Sequence, residues 1–120
     1  MNYDNRNVFA QIIQGKIKAE KLYEDDKLIA ILDINPASPI HILVIPKGEY
    51  IDLADFVNKA TDQEIAHYFK MVTKIAAENG AKEYRVLNNK GKSAGQSVFH
   101  FHTHILSGLN NNNLIDDNLL

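Results

Sequence analysis

The 120 residues contain no cysteine. That excludes a disulfide-stapled scaffold, a thiolate zinc site and a thiol nucleophile, and it fits a reducing compartment. No apolar run approaches the roughly 20 residues of a membrane-spanning helix. The polar start Met1-Asn2-Tyr3-Asp4-Asn5-Arg6-Asn7 lacks the apolar stretch of a secretion signal. A cytoplasmic protein with no membrane partner is therefore expected. Positive charge is also scarce: 13 Lys and Arg stand against 15 Asp and Glu, a formal net charge of -2. Sequence-independent nucleic-acid binding needs many cations to displace phosphate counterions, so no nucleic-acid partner is expected. A small anionic ligand would have to be held by a few focused donors. Hydrophobic residues make up 45% of the chain, enough for one ordinary core. A single domain is expected over 1–108. It is followed by an Asn-rich tail over 109–120 that could dock through Leu114, Ile115, Leu119 and Leu120.

Three of the five histidines fall within five residues, in Gln96-Ser97-Val98-Phe99-His100-Phe101-His102-Thr103-His104-Ile105-Leu106. Successive side chains on a strand point to opposite faces, so His100, His102 and His104 should line one face and Phe101, Thr103 and Ile105 the other. Imidazole titrates near neutrality, binds metals, serves as acid or base and can attack an electrophile. The row is a candidate site.

The rest of the chain supplies supporting elements. Asn5 or Asn7 can cap a short helix with Val8, Phe9, Ile12 and Ile13 at helical spacing. Strands are expected at 20–24 and 28–32, then an ordered loop, Asp33-Ile34-Asn35-Pro36-Ala37-Ser38-Pro39. The near-continuous apolar run Ile40-His41-Ile42-Leu43-Val44-Ile45-Pro46 suits a strand covered on both sides. His41 is out of place there, either as a satisfied structural imidazole or as a member of the histidine cluster. A helix at 52–58 should turn Leu53, Phe56 and Val57 inward. Thr61-Asp62-Gln63-Glu64 matches a capping box opening a long helix with Ile65, Phe69, Val72, Ile75 and Ala76 inward and a stop at Asn79-Gly80. His67 lies off that stripe and reads as solvated.

A strand at 84–88 leads into Asn89-Lys90-Gly91-Lys92-Ser93-Ala94-Gly95, which feeds the histidine row. Its glycines let backbone approach a ligand closely, while Asn89, Ser93, Gln96 and Ser97 offer donors around one small volume. At about 3.3 Å per residue, the Cα atoms of His100 and His104 would lie roughly 13 Å apart. Three such rings cannot converge on a zinc that wants about 2.0–2.1 Å bonds without severe strain. Two of them with His41 could. The other reading makes the middle ring a nucleophile, with the small-residue loop supplying donors to a phosphoryl group.

The pattern His100-Phe101-His102-Thr103-His104-Ile105-Leu106 resembles the His-φ-His-φ-His-φ-φ signature of the histidine triad (HIT) superfamily, with Thr103 a mildly polar variant at one φ. Upstream, Val8-Phe9-x-x-Ile12, Asp33-Ile34-Asn35-Pro36, Pro39-x-His41-x-Leu43-Val44-Ile45-Pro46-Lys47 and Gly95-Gln96-Ser97-Val98 extend the resemblance over about residues 7–108. Asn89 and Ser97 make it more similar to the Hint branch of purine nucleoside phosphoramidases than to the Fhit-like dinucleoside polyphosphate hydrolases. The resemblance implies an α+β fold with a five-stranded antiparallel sheet, a short N-terminal helix, one long helix and a homodimer. It implies attack by His102 at the α-phosphorus of a nucleoside phosphoramidate or acyl-nucleotide, a nucleotidyl-histidine intermediate and release of a nucleoside monophosphate such as AMP or GMP. No cofactor and no resident metal are implied. By the same resemblance the His100 carbonyl fixes the His102 tautomer, His104 meets the phosphate or leaving group, and His41 supports the cluster. Asn89, Gly95, Gln96 and Ser97 surround the phosphate, Ser97 as a proton donor. Asp33 accepts the ribose hydroxyls, and Val8, Phe9, Ile12 and Ile34 form the purine slot. The departure is the tail, which lacks the Trp-Pro-Pro-Gly-like ending of animal Hint proteins. A nucleotide- or zinc-binding module without turnover is the alternative of another class.

Overall fold

In a computed structural model, residues 1–108 are described. The expected docking of Leu114, Ile115, Leu119 and Leu120 lies outside the described residues. Among the described residues the chain runs α1 (Val8–Ile13), β1 (Lys21–Glu24), β2 (Leu28–Leu32), β3 (Ile40–Pro46), α2 (Leu53–Lys59), α3 (Asp62–Glu78), β4 (Tyr84–Leu87) and β5 (Thr103–Ser107), with a 3-10 turn at Lys92–Ala94. The strands form one antiparallel sheet in the order β1-β2-β3-β5-β4. This is the expected α+β fold.

Caps define the helix starts. The Asn7 side chain accepts from the Ala10 N–H, Asp52 caps α2, and Thr61 and Glu64 complete the reciprocal box of α3. Each cap satisfies backbone donors that a helix start otherwise leaves orphaned.

The sheet separates two apolar layers. On one face α2 and α3 bury Leu28, Ala30, Ile42, Val44, Phe101 and Ile105 around Phe56, Tyr68 and Ile75. On the other, α1 covers Ile29, Ile31, Leu43 and Ile45 with Phe9 and Ile12. β3 is buried over nearly its whole length because both layers use it, which is why it reads as a continuous apolar run. Leu43 is paired with His104 and His41 with Leu106, and cross-strand partners share a face. His41 and His104 therefore belong to the α1 side.

Four expectations need correction. First, the regular strand begins only at Thr103; His100 ends a bend over 98–100 and His102 lies in the irregular chain just before the strand. The alternation survives, since Phe101 and Ile105 enter the α3 layer. Second, the buried stripe of α3 is Tyr68, Met71, Val72, Ile75 and Ala76, while Phe69 is 41% exposed. Tyr68 takes the inward place because its hydroxyl finds partners there: it donates to the Val44 carbonyl and lies 2.7 Å from Thr103 Oγ1. This pairing also accounts for the polar Thr103 in an otherwise apolar pattern. Third, Val57 is 49% exposed, because the short α2 buries only Phe56 completely. Fourth, His67 is paired: its Nε2–H donates to Asp25 Oδ2 at 2.8 Å, tying α3 to the β1–β2 turn.

Candidate functional site

Four imidazoles meet where β3 and β5 lie side by side, each held in a defined tautomer. His102 Nδ1 lies 2.7 Å from the carbonyl oxygen of His100. A carbonyl only accepts, so Nδ1 carries the proton and Nε2 keeps its lone pair. The His102 carbonyl in turn accepts from the Asn88 side-chain amide at 2.7 Å. Phe9 packs edge-on against the His102 ring with centroids 4.8 Å apart. The backbone before β5 is thus braced from several directions without belonging to a ladder.

His41 and His104 form a second chain of donors. The Ala37 N–H donates to His41 Nδ1 at 3.0 Å, which leaves the His41 proton on Nε2. That N–H donates to His104 Nδ1 at 2.8 Å, so His104 carries its own proton on Nε2. The backbone amide of one loop residue therefore sets His104 up as a proton donor. Asp33 Oδ2 lies 3.4 Å from His41 Nε2, and its Oδ1 accepts from the Asn35 N–H, which folds the loop after β2 toward the cluster. The rings of His102 and His104 are 5.1 Å apart, lone pair on one and N–H on the other.

Burial makes the rings neutral. Desolvation pushes His100 and His104 down to about 4, the latter helped by the neighbouring His102 and His41, and lowers His102 and His41 as well. Asp33 opposes the shift at His41, His102 and His104 without reversing it. Stability should depend on pH accordingly. Between the ordinary histidine value near 6.5 and about 4, the unfolded chain binds protons that the folded rings refuse, so stability falls as the pH drops. Each such proton contributes about 1.4 kcal/mol per pH unit. Urea midpoints measured from pH 7 to 4.5 should decline steadily. A flat profile across that window would contradict neutral buried rings.

The loop before the cluster is shaped by Gln96. Its amide donates to the Ile51 and Val98 carbonyls and its oxygen accepts from the Gly91 N–H, so the buried side chain is fully committed to backbone. Gly95 adopts φ +97°, a left-handed conformation that side-chain-bearing residues rarely adopt, and closes the 3-10 turn beside the Asn89 side chain. Ser97 is exposed at the lip of the hollow between this loop and α2.

The residues expected for a base are less uniform. Phe9 and Ile12 are buried in the α1 layer, Val8 is half exposed, and Ile34 stands 91% exposed beside Asp33. Sequence reasoning missed Tyr3, which reaches His100, as well as Asn88 and the backbone groups of Ala37 and Pro46. Backbone partners leave no side-chain signature, and Tyr3 lies 97 residues from His100.

Asp33, His41 and His104 place three potential ligand atoms within 4.8 Å of one another. Ligand atoms around tetrahedral zinc stand roughly 3.3 Å apart. His41 Nε2 stands 3.4 Å from Asp33 Oδ2 and 2.8 Å from His104 Nδ1, and the two imidazoles are already hydrogen-bonded to each other.

The pattern of the HIT domain matches residues 14–111. The chain is 48% identical over 118 residues to an uncharacterised HIT-like protein of Rickettsia prowazekii, covering 97% of this chain and 98% of that one. Among solved structures, it superposes on a histidine triad protein from Clostridium difficile with a TM-score of 0.79 at 40% identity, covering 94% and 98% of the two chains. A HIT family hydrolase from Clostridium thermocellum gives 0.80 at 39% identity, covering 89% and 94%.

Proposed function

The chain belongs to the HIT domain family, and from that premise we propose that it hydrolyses purine nucleoside phosphoramidates or acyl-nucleotides at the α-phosphorus, releasing a nucleoside monophosphate. The observation that carries this reading is the 2.7 Å bond from His102 Nδ1–H to the His100 carbonyl, which leaves a neutral, desolvated Nε2 lone pair. Nε2 attacks phosphorus and the bond to the leaving group breaks. The Nδ1–H bonded to the carbonyl stabilises the cationic nucleotidyl-imidazolium. His104 Nε2–H or the Ser97 hydroxyl protonates the departing amine. Water then attacks the same phosphorus and gives its proton back to the group that protonated the amine, the P–Nε2 bond breaks, and His102 returns to its starting neutral tautomer.

Around this centre, Asp33 accepts the ribose hydroxyls, and Ile34 with Val8, Phe9 and Ile12 covers the purine. Asn89, Ser97 and the backbone at Gly95 hold the phosphate, while Gln96 acts through the loop it braces. His41 relays the Ala37 constraint to His104. A nucleotide site of this kind, an apolar slot with a few polar fixings, agrees with the general anatomy of small-molecule sites.

The deciding experiment incubates the full chain with an adenosine phosphoramidate and, side by side, a dinucleoside polyphosphate. AMP release that is faster from the phosphoramidate is expected. Faster cleavage of the dinucleotide would assign the Fhit-like activity instead. The Asp33, His41 and His104 geometry favours one further reading, a metal-binding module. Stoichiometric zinc in untagged protein, lost in His41→Ala, together with no turnover of either nucleotide, would favour it.

A homodimer is also proposed. β4 is an edge of the sheet, only four residues long, and Val86 on it is 50% exposed. Joining two such edges would satisfy open backbone groups and cover Val86. Sedimentation should give twice the chain mass, and Val86→Lys should shift it toward monomer. A wild-type monomer at micromolar concentration would refute the dimer.

A further inference from the structure

His100 differs from the other rings of the triad. It is completely buried, and both ring nitrogens are engaged. Nε2 lies 2.7 Å from the Pro46 carbonyl oxygen, an obligate acceptor, so the proton resides on Nε2. Nδ1 is then an acceptor, and the group facing it at 2.5 Å is the hydroxyl of Tyr3, which must donate. The Tyr3 ring packs against the same imidazole with centroids 5.5 Å apart, and Phe9 approaches it edge-on at 6.4 Å.

What His100 holds is one peptide. Its carbonyl receives the His102 Nδ1–H, and the N–H of that same peptide, on Phe101, donates to the Tyr50 carbonyl at 2.7 Å. The peptide is thus fixed from below by Tyr50. Its rotation about the His100 Cα is limited by how firmly the ring is anchored, and two bonds anchor the ring, one to Pro46 and one to Tyr3.

We propose that Tyr3 is a positioning residue: its hydroxyl donates to Nδ1 and locks in place the His100 ring, whose Nε2–H tautomer Pro46 sets, and so keeps the His100 carbonyl in place as the acceptor for His102. Burial pushes the Tyr3 hydroxyl up and His100 down, so donor and acceptor both stay in the required protonation states at neutral pH. The hydroxyl comes from the segment preceding α1, which gives that segment a part in the site although it contributes nothing to the sheet. The catalytic consequence rests on the reaction proposed above; the lock on the ring does not.

The test compares wild type with Tyr3→Phe, which keeps the ring and removes only the hydroxyl, and with Tyr3→Leu. Long-range proton–nitrogen spectra of the 15N-labelled full chain report the state of each imidazole nitrogen. In Tyr3→Phe the His100 Nδ1 resonance should move toward that of an acceptor without a partner. The kcat for the phosphoramidate should fall about tenfold with KM within about twofold, the size expected for one lost hydrogen bond acting on the transition state. Tyr3→Leu should be at least as impaired. An unmoved Nδ1 resonance in Tyr3→Phe overturns the proposal, and so does a moved resonance with wild-type kcat. Should wild type hydrolyse no phosphoramidate, the proposed reaction fails, and the Tyr3→Phe spectrum alone decides the lock: a shift sustains it and no shift overturns it.

Discussion

Replacing His102 with alanine should lower AMP release from an adenosine phosphoramidate by about 10⁴-fold or more, the scale seen when a covalent nucleophile is removed. The size follows from the arrangement of the site. His102 is the ring whose lone pair is left free by a backbone acceptor, whereas His100 has both nitrogens engaged, and His104 and His41 have their acceptor nitrogens occupied. No neighbouring imidazole can take over attack without breaking its own hydrogen bonds. Quenching wild type during turnover with alkaline denaturant, in which a P–N bond to imidazole survives, should also trap a chain heavier by one nucleotidyl group, mapped by mass spectrometry to His102. His104→Ala should leave that adduct detectable while slowing its formation, because it removes a donor and spares the nucleophile. Turnover by His102→Ala at a wild-type rate would dismiss the covalent route.

Phe101→Ala should cost about 3–5 kcal/mol, the usual range for emptying a buried aromatic site. Phe101 is 1% exposed and stacks on Phe56 with centroids 4.7 Å apart and planes within 15°. It also meets Tyr68 at 5.3 Å, so the cavity would open at the centre of the α2–α3 layer. For a chain of this length the melting temperature should fall by roughly 10–20 °C. Phe101→Leu refills most of the volume and should cost less than half as much. Because Phe101 lies between His100 and His102, the alanine variant should also lose activity at temperatures where it remains folded. A melting shift below about 3 °C would mean that this layer carries less of the stability than its packing suggests.

Chain-local physics made much of the fold legible. Caps and turns act within a few residues, so Asn7, the Thr61–Glu64 box and the Asn79-Gly80 stop mark their helix ends in the sequence itself. β2 and β3 follow from short apolar runs between turn signals. Helix faces were less legible. A period of 3.6 allows Phe69 and Tyr68 nearly equal claims on the interior, and a hydroxyl partner on β5 decided for Tyr68.

The same division runs through the site. Clustered histidines and a small-residue loop are properties of spacing, so the sequence alone marked the candidate site and, through the triad pattern, the family to which the chain belongs. Only the tertiary structure decided what each ring can do. A tautomer is set by the group opposite each nitrogen, and those groups come from far along the chain: the Pro46 carbonyl for His100, the Ala37 amide for His41, and His41 for a His104 that lies 63 residues away. Hydrogen bonds between such distant groups impose no spacing on the sequence, because they exist only after the sheet has brought β3 and β5 together and α1 has closed over them.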